Sequence, residues 1–310
     1  MNNLSDFINT YFCRFNSAQL RKSAEAYKNH IARGGKMVVT LSGAMSTGEI
    51  GKILSPMILN EKVHVISCTG ANLEEDIFNL ISHKSYREIP DYKDLSPKQE
   101  EELYKNGYNR VTDVCIPESA FCKLEELVFK YWEKASREKK RYFPHEYIYK
   151  TIQNRDIEDY YQINPEDSWV IAAIKKQIPI IVPGWEDSTL GNKFVSHCMK
   201  GKLEIDIIKN GLEYMLQFAN WYQKESQKSQ IGFFQIGGGI AGDFPICVVP
   251  MLNQDLGKNV PLWSYFCQVS DSTTSYGSYS GAVPNEKVTW GKLETSSPKY
   301  MIESDASIVV

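Results

Sequence analysis

The residues best equipped for covalent chemistry lie between Tyr265 and Leu293, in YFCQVSDSTTSYGSYSGAVPNEKVTWGKL. The stretch leaves an apolar segment, passes through Ser, Thr, Tyr and Gly, and reaches Lys292, flanked by Trp290, Gly291 and Leu293. Aromatic walls and hydroxyl donors on a loop are how folds build binding sites. A lysine in an apolar pocket has its ammonium form disfavoured by desolvation, which leaves an amine able to attack a carbonyl or imine carbon. Trp290 offers an aromatic face to a cationic substrate, with Glu286 as counter-charge. Against this stands the ordinary fate of a lysine, which is solvation at the surface.

Carboxylates and glycines supply a second set of candidates. Glu74, Glu75 and Asp76 open a helix, where the helix dipole favours carboxylates in any case. Asp187 and Asp305 follow or interrupt apolar runs, a placement that suits a carboxylate holding a ribose hydroxyl. Gly237, Gly238 and Gly239 follow the apolar run GFFQI, where backbone N–H groups can approach a pyrophosphate, or simply make a tight turn. The run is neither a G-x-G-x-x-G fingerprint nor a P-loop, because no Lys-Ser/Thr follows it.

The elements that must position these groups alternate between strand and helix. A helix over 15–33 ends at Gly34-Gly35. The strand Met37 to Leu41 breaks into Ser42-Gly43-Ala44-Met45-Ser46-Thr47-Gly48 before a helical segment. The unit then repeats, with a strand from Val63, a Thr69-Gly70-Ala71 turn and a helix from about Asn72. Residues 85–117 read as an irregular excursion with a short helix at 97–106. Helices follow over 119–140, 166–177, 191–199 and 205–225, with strands IPIIVPG and IGFFQI among them and a last strand over 300–310. Short apolar strands alternating with helices predict one α/β domain over 1–310, a parallel sheet with helices on both faces. In such folds ligands bind beyond the carboxyl ends of the strands. The predicted strand ends carry Ser42-Gly43, Thr69-Gly70, Asp187-Ser188, the triple glycine and Asp271-Ser272, and Ser304-Asp305 falls within the last strand.

Bulk properties narrow the class of partner. The 310 residues are 42% apolar, with 35 Lys and Arg against 38 Asp and Glu, so no basic excess exists to neutralise nucleic-acid phosphates or an anionic membrane. No apolar run approaches the length needed to span a bilayer, and the first residues lack a signal-peptide pattern, so a cytoplasmic protein is expected. Seven cysteines without a C-x-x-C pair read as reduced, mostly buried thiols, and five histidines without ligand spacing predict no metal site.

Taken together, Ser42 to Gly48, Thr69 to Asp76, Asn109-Arg110-Val111, Gly237 to Gly239, Ser280 to Glu286, Trp290-Gly291-Lys292 and Asp305-Ala306-Ser307 resemble the deoxyhypusine synthase family. The resemblance runs from about residue 35 and preserves motif order. It implies a Rossmann-like fold and a homotetramer with sites at dimer interfaces. It also implies use of NAD to oxidise a spermidine-like donor and passage of an aminobutyl unit through an enzyme lysine, here Lys292. The NAD contacts it implies fall on Ser42, Gly43, Ala44, Met45, Ser46, Thr69, Gly70, Ala71, Glu75, Asp187, Gly238, Asp271, Ser272, Asp305 and Ala306. Amine-donor contacts fall on Glu74, Asn192, Asp243, Gly277, Ser278, Tyr279 and the run from Glu286 through Trp290 to Lys292. Three positions depart from the eukaryotic pattern: Asn192 replaces an aspartate, Asp243 a histidine and Tyr276 an acidic residue. They make the chain similar to the bacterial deoxyhypusine synthase-like branch, for which the polyamine donor pairs with a small-amine acceptor. A true deoxyhypusine synthase acting on a protein lysine, and a non-catalytic NAD- or polyamine-binding module, are the competing readings.

Overall fold

The computed structural model of the chain describes residues 4–273 and 277–310. Nine strands are present among them. In chain order they are β1 (Lys36–Leu41), β2 (Val65–Cys68), β3 (Arg87–Glu88), β4 (Tyr108–Val111), β5 (Val114–Pro117), β6 (Ile180–Ile181), β7 (Ile231–Ile236), β8 (Tyr265–Ser270) and β9 (Lys299–Glu303). Six of them form one sheet in the order β6-β2-β1-β7-β8-β9, and every pairing in it is parallel. This is the doubly wound Rossmann order, in which the chain builds outward from β1 on one side and then restarts at β7 on the other. The predicted α/β architecture is the one observed.

The strands are short apolar runs because both faces are covered. Phe234 meets Tyr27 of the Phe15–Ala32 helix edge-to-face at 5.8 Å. Its neighbour Gln235 lies against Gly242 of the Gly239–Ile246 helix, where an added Cβ would come within 2.8 Å of the Gln235 amide carbon. Adjacent strand residues point to opposite faces, so these two helices cover opposite sides of the sheet.

The segment over 85–117 is more regular than its composition suggests. The helix Pro97–Lys105 is present, started by a capping box between Ser96 and Gln99, but a three-stranded antiparallel sheet, β3-β5-β4, accompanies it. Its hairpin turns at Thr112-Asp113, with Thr112 in the left-handed region at φ 56°, and offers none of the glycine or asparagine signals that mark such turns. Near the C-terminus β9 stops at Glu303. Asp305 therefore follows the strand rather than interrupting it, and its Oδ1 accepts from the Ser307 backbone N–H at 2.7 Å, capping the short Ala306–Val309 helix. The helix expected from residue 205 begins at Gly211, because Asn210 caps it through the Glu213 N–H. A short helix, Leu4–Tyr11, precedes the predicted first one.

The helix Gly70–Ser82 ties the strand-end loops together, and nearly all of it is buried. Asn72 Nδ2 donates to the Gly43 carbonyl at 2.8 Å and its Oδ1 accepts from Ser46 N–H at 2.9 Å, so one side chain ties two points of the loop after β1. Three consecutive carboxylates then reach three other segments. Glu74 accepts from the N–H groups of Thr189 (3.1 Å) and Leu190 (2.8 Å), the first turn of the Thr189–Met199 helix. Glu75 accepts from Thr47 N–H at 3.3 Å. Asp76 accepts from Trp169 and Val170 N–H at 3.3 and 3.2 Å and from the Ser168 hydroxyl, at the start of the Trp169–Lys176 helix. Helix N-termini carry backbone N–H groups without intrahelical partners, and the carboxylates fill that need.

Removing Asp76 leaves three buried donors unpaired, each worth roughly 1–3 kcal/mol. Asp76→Ala is therefore expected to lose about 4 kcal/mol of stability in urea unfolding. A midpoint within experimental error of the parent would show that this carboxylate does not hold the helix.

Candidate active site

Most of the predicted site residues gather at the carboxyl edge of the sheet, in three pockets. The first, about 520 Å³, is lined by Lys292, Asp243, Gly277, Ser278, Tyr279, Glu286 and Trp290, together with Cys247, Gly281, Ala282 and Lys287. All seven of the first-named were expected from sequence. The second, about 180 Å³, sits where β1 and β7 diverge; its walls include Ser42, Gly43, Met45, Gly237, Asp271, Asp305 and Ala306. The third, about 350 Å³, holds Ala71, Glu74, Glu75, Asp187 and Asn192 beside Asn109 and Phe121. Tyr276 lies outside the described residues.

Lys292 follows the one-turn helix Glu286–Thr289, with Gly291 in the left-handed region at φ 64° re-aiming the chain. Its backbone N–H donates to the Lys287 carbonyl at 3.0 Å and its carbonyl accepts from Trp263 N–H at 3.1 Å, so the backbone is pinned on both sides. Only 5% of the residue is exposed. Its Nζ lies 3.3 Å from Asp243 Oδ1, 5.6 Å from the centre of the Tyr279 ring and 5.7 Å from that of Trp290. Asp243 thus places a carboxylate beside the buried amine, and its other flank is half-exposed. Cys247, one turn further along, points its thiol at the same Asp243 oxygen at 3.6 Å, and burial pushes that thiol's pKa up.

The pocket wall hangs from two glutamines that sequence reasoning passed over. Gln235 and Gln268 are register partners on β7 and β8, and both are fully buried. Gln235 Oε1 accepts from the Tyr279 hydroxyl at 2.9 Å, while Gln268 Nε2 donates to the carbonyls of Ser280 (2.9 Å) and Gly237 (3.0 Å). Their signal was available: an amide within each of two largely apolar runs, IGFFQI and YFCQVS. Lys287 lies within the 286–292 run expected to contact the amine donor, but its burial was not legible, because a lysine in a one-turn helix carries no mark of burial.

The second pocket lies at the topological switch point, where doubly wound folds bind nucleotides. Gly237, at φ 75°, turns the chain directly after β7 with its Cα against Ser42, and a Cβ there would come within 2.8 Å of Ser42 Cβ. A Cβ on Gly238 would sit 2.7 Å from Ser280 Cα, so this glycine lets the 279–281 loop close over the turn. Several predicted cofactor contacts serve the loop framework. Ser46 is buried between Asn72 and the Trp169 indole, Thr69 caps the Gly70–Ser82 helix while donating to Gly43 O, and Gly70 packs on Ser188. Ala44 accepts from Thr47 N–H within the first loop, and Ser272 donates its N–H to Ser270 Oγ at 3.2 Å.

In the third pocket Asn192 is exposed and donates Nδ2 to the Ser188 carbonyl at 2.8 Å. Asp243 therefore stands in a different pocket of the protomer from Asn192 and places its charge at Lys292. Burial raises Glu74 to about 6 and Glu75 to about 7.

This geometry has a family. The chain matches the deoxyhypusine synthase family over residues 7–310, and it belongs to that family. Members are aminobutyl-transferring enzymes that act with NAD, so the chain is an enzyme of the deoxyhypusine synthase-like transferase class. It is 27% identical over 307 residues to a Methanosarcina mazei protein assigned as deoxyhypusine synthase 2, covering 96% of this chain and 81% of that one. It is 26% identical over 294 residues to a "Deoxyhypusine synthase-like protein" of Cyanothece, covering 93% and 72%. Among solved structures, an Entamoeba histolytica chain assigned as a deoxyhypusine synthase shares the fold with a TM-score of 0.60 at 13% identity, over 99% of this chain and 90% of that one. The ternary complex of AgrE with ornithine and NAD+ shares it at 0.51 and 12% identity, over 95% and 31%. No helix among the described residues is long and apolar enough to cross a membrane.

Glu75 gives the site region a pH signature. Its folded pKa of about 7 lies above the ordinary 4.5, so its stabilising contribution is complete below 4.5 and is lost as pH rises through 7. Glu75→Gln, neutral throughout, should match the parent near pH 4 and exceed it by about 3 kcal/mol at pH 8. Paired thermal melts across that range test this, and a difference independent of pH would refute it.

Proposed function

We propose that this chain is an NAD-dependent transferase that carries an aminobutyl unit from a spermidine-like polyamine, through an imine on Lys292, to a small amine. The observation that carries the reading is Lys292 itself: buried, pinned at its backbone, facing Asp243, and open to a pocket walled by Tyr279 and Trp290. Asp243 can take the Lys292 proton, which frees the amine's lone pair. Attack on the imine carbon of an oxidised donor then forms a bond to Nζ as the donor's other amine leaves. An acceptor amine reverses the exchange, breaking the bond to Nζ and returning the proton. The Tyr279 and Trp290 rings hold cationic groups over their faces during these steps.

The lining of the switch-point crevice suits the phosphates and a ribose of a dinucleotide. Its wall at Gly43 and Gly237 has no side chain to obstruct a phosphate, and Asp271 and Asp305 bring carboxylates to its rim for ribose hydroxyls. Bound NAD would supply the site that accepts a hydride from the donor and later returns it. Incubation with NAD and spermidine followed by borohydride should leave a stable adduct at Lys292, with aminobutylated putrescine or agmatine forming in unreduced samples to which that amine is added. Normal NAD binding without an adduct at Lys292 would overturn the mechanism, and label passing only into a protein lysine would favour a true deoxyhypusine synthase.

A homotetramer in the cytoplasm, with sites at dimer interfaces, completes the reading. Two facts support the assembly: the expected amine contacts divide between the Lys292 pocket and the Asn192 pocket, and Trp290 is 66% exposed at the rim of the first. If one subunit supplies Lys292 and another Asp187, mixing inactive Lys292→Ala and Asp187→Ala proteins with subunit exchange should restore about a quarter of the sites. No recovery despite demonstrated exchange would place each site within one subunit.

A further inference from the structure

The Lys292 pocket contains a second lysine that the transfer chemistry above leaves unused. Lys287 is 3% exposed, and its Nζ is fully enclosed with no hydrogen-bond acceptor. It lies between two aromatic faces, 4.7 Å from the centre of the Phe266 ring and 5.0 Å from that of Tyr279. Both lysine nitrogens thus sit within 6 Å of the same tyrosine ring. Burying a cation is costly unless it is paired, and the aromatic faces offset only part of that cost.

The charges around it decide what this does. Asp243, the carboxylate on the Gly239–Ile246 helix, already pairs with Lys292. Glu286, next to Lys287 on the one-turn helix, is exposed at the rim. Cys247 and Tyr279 are both driven towards their neutral forms by burial. With Lys287 protonated, the lining therefore holds two ammonium groups against two carboxylates and has no net charge. A pocket matched to a molecule with three or more positive charges would carry a carboxylate surplus.

We propose that Lys287 is a charge-selectivity residue of this site: its buried cation weakens amine binding in proportion to the ligand's positive charge, so that the spermidine-like donor is held loosely and a short diamine acceptor is favoured over longer polyamine acceptors. The inference rests on the amine-transfer reading above and refines its substrate class. The charge on Lys287 is also adjustable. Burial first, and the charge of Lys292 second, pull its amine down to about 8, opposed by Glu286 and Asp243. The discrimination is therefore strongest below that pH and fades above it.

The test measures equilibrium binding of spermidine and of putrescine to the NAD-loaded full chain at pH 7, for the parent, Lys287→Met, Lys287→Gln and Lys287→Arg. Removing one cation several ångströms from a bound polycation should tighten spermidine about tenfold and putrescine by less, whereas Lys287→Arg keeps the weak spermidine binding. A Met or Gln variant that melts like the parent and binds spermidine no more tightly overturns the proposal. Loss of folding in both neutral variants also overturns it, because Lys287 then serves the core. Failure of every protein to bind either amine overturns the amine-transfer reading as well, which separates that outcome from the others.

Discussion

The structure depends on charged and polar groups buried along one helix. Glu74, Glu75 and Asp76 are taken out of water, and desolvation raises each above the ordinary carboxylate range. Each is compensated by backbone N–H groups that would otherwise be unpaired at the start of a helix or in a tight loop. The pairing works in both directions. The acids need donors because they are buried, and the donors need acceptors because their helices begin inside the protein. Through these contacts the Gly70–Ser82 helix sets the positions of the loop after β1, the Trp169–Lys176 helix and the Thr189–Met199 helix relative to one another.

The C-terminal half of the site is held by different means. Here the anchors are neutral amides in the sheet, Gln235 and Gln268, which reach the Tyr279 hydroxyl and the Ser280 carbonyl. Gly238 lets that loop approach to van der Waals contact. The result is a pocket whose floor is rigid sheet and whose wall is a loop, with Lys292 fastened to Trp263 behind it. Rigid support of this kind lets a flexible lysine side chain present its amine in one place.

On the proposed reading, substrate choice falls to the balance of charge inside the pocket. Asp243 brings a carboxylate to Lys292, while Asn192, in a separate pocket of the same chain, brings none. Lys287 sets a second cation against them. Family membership accounts for the transfer chemistry, and these three positions are where we propose that this chain's own specificity lies.

By itself the sequence determined the alternation of strands and helices in the main sheet, the chemistry at most of its strand ends and the prominence of Lys292. Those features are local: apolar periodicity, turn residues and a distinctive run of neighbours are all written along the chain. The hairpin at Thr112 and the cap at Asp305 escaped because their turn chemistry is atypical or lies inside an apolar run. Only the tertiary structure decided that Glu74 caps a distant helix, that the expected contacts divide among three pockets, and that Lys287 is enclosed between Phe266 and Tyr279. Burial of an ionisable side chain depends on what packs over it, and those partners are far away in sequence. Lys292 and Lys287 sit five positions apart in one loop, yet only packing distinguishes the amine that meets a carboxylate from the one that meets aromatic faces.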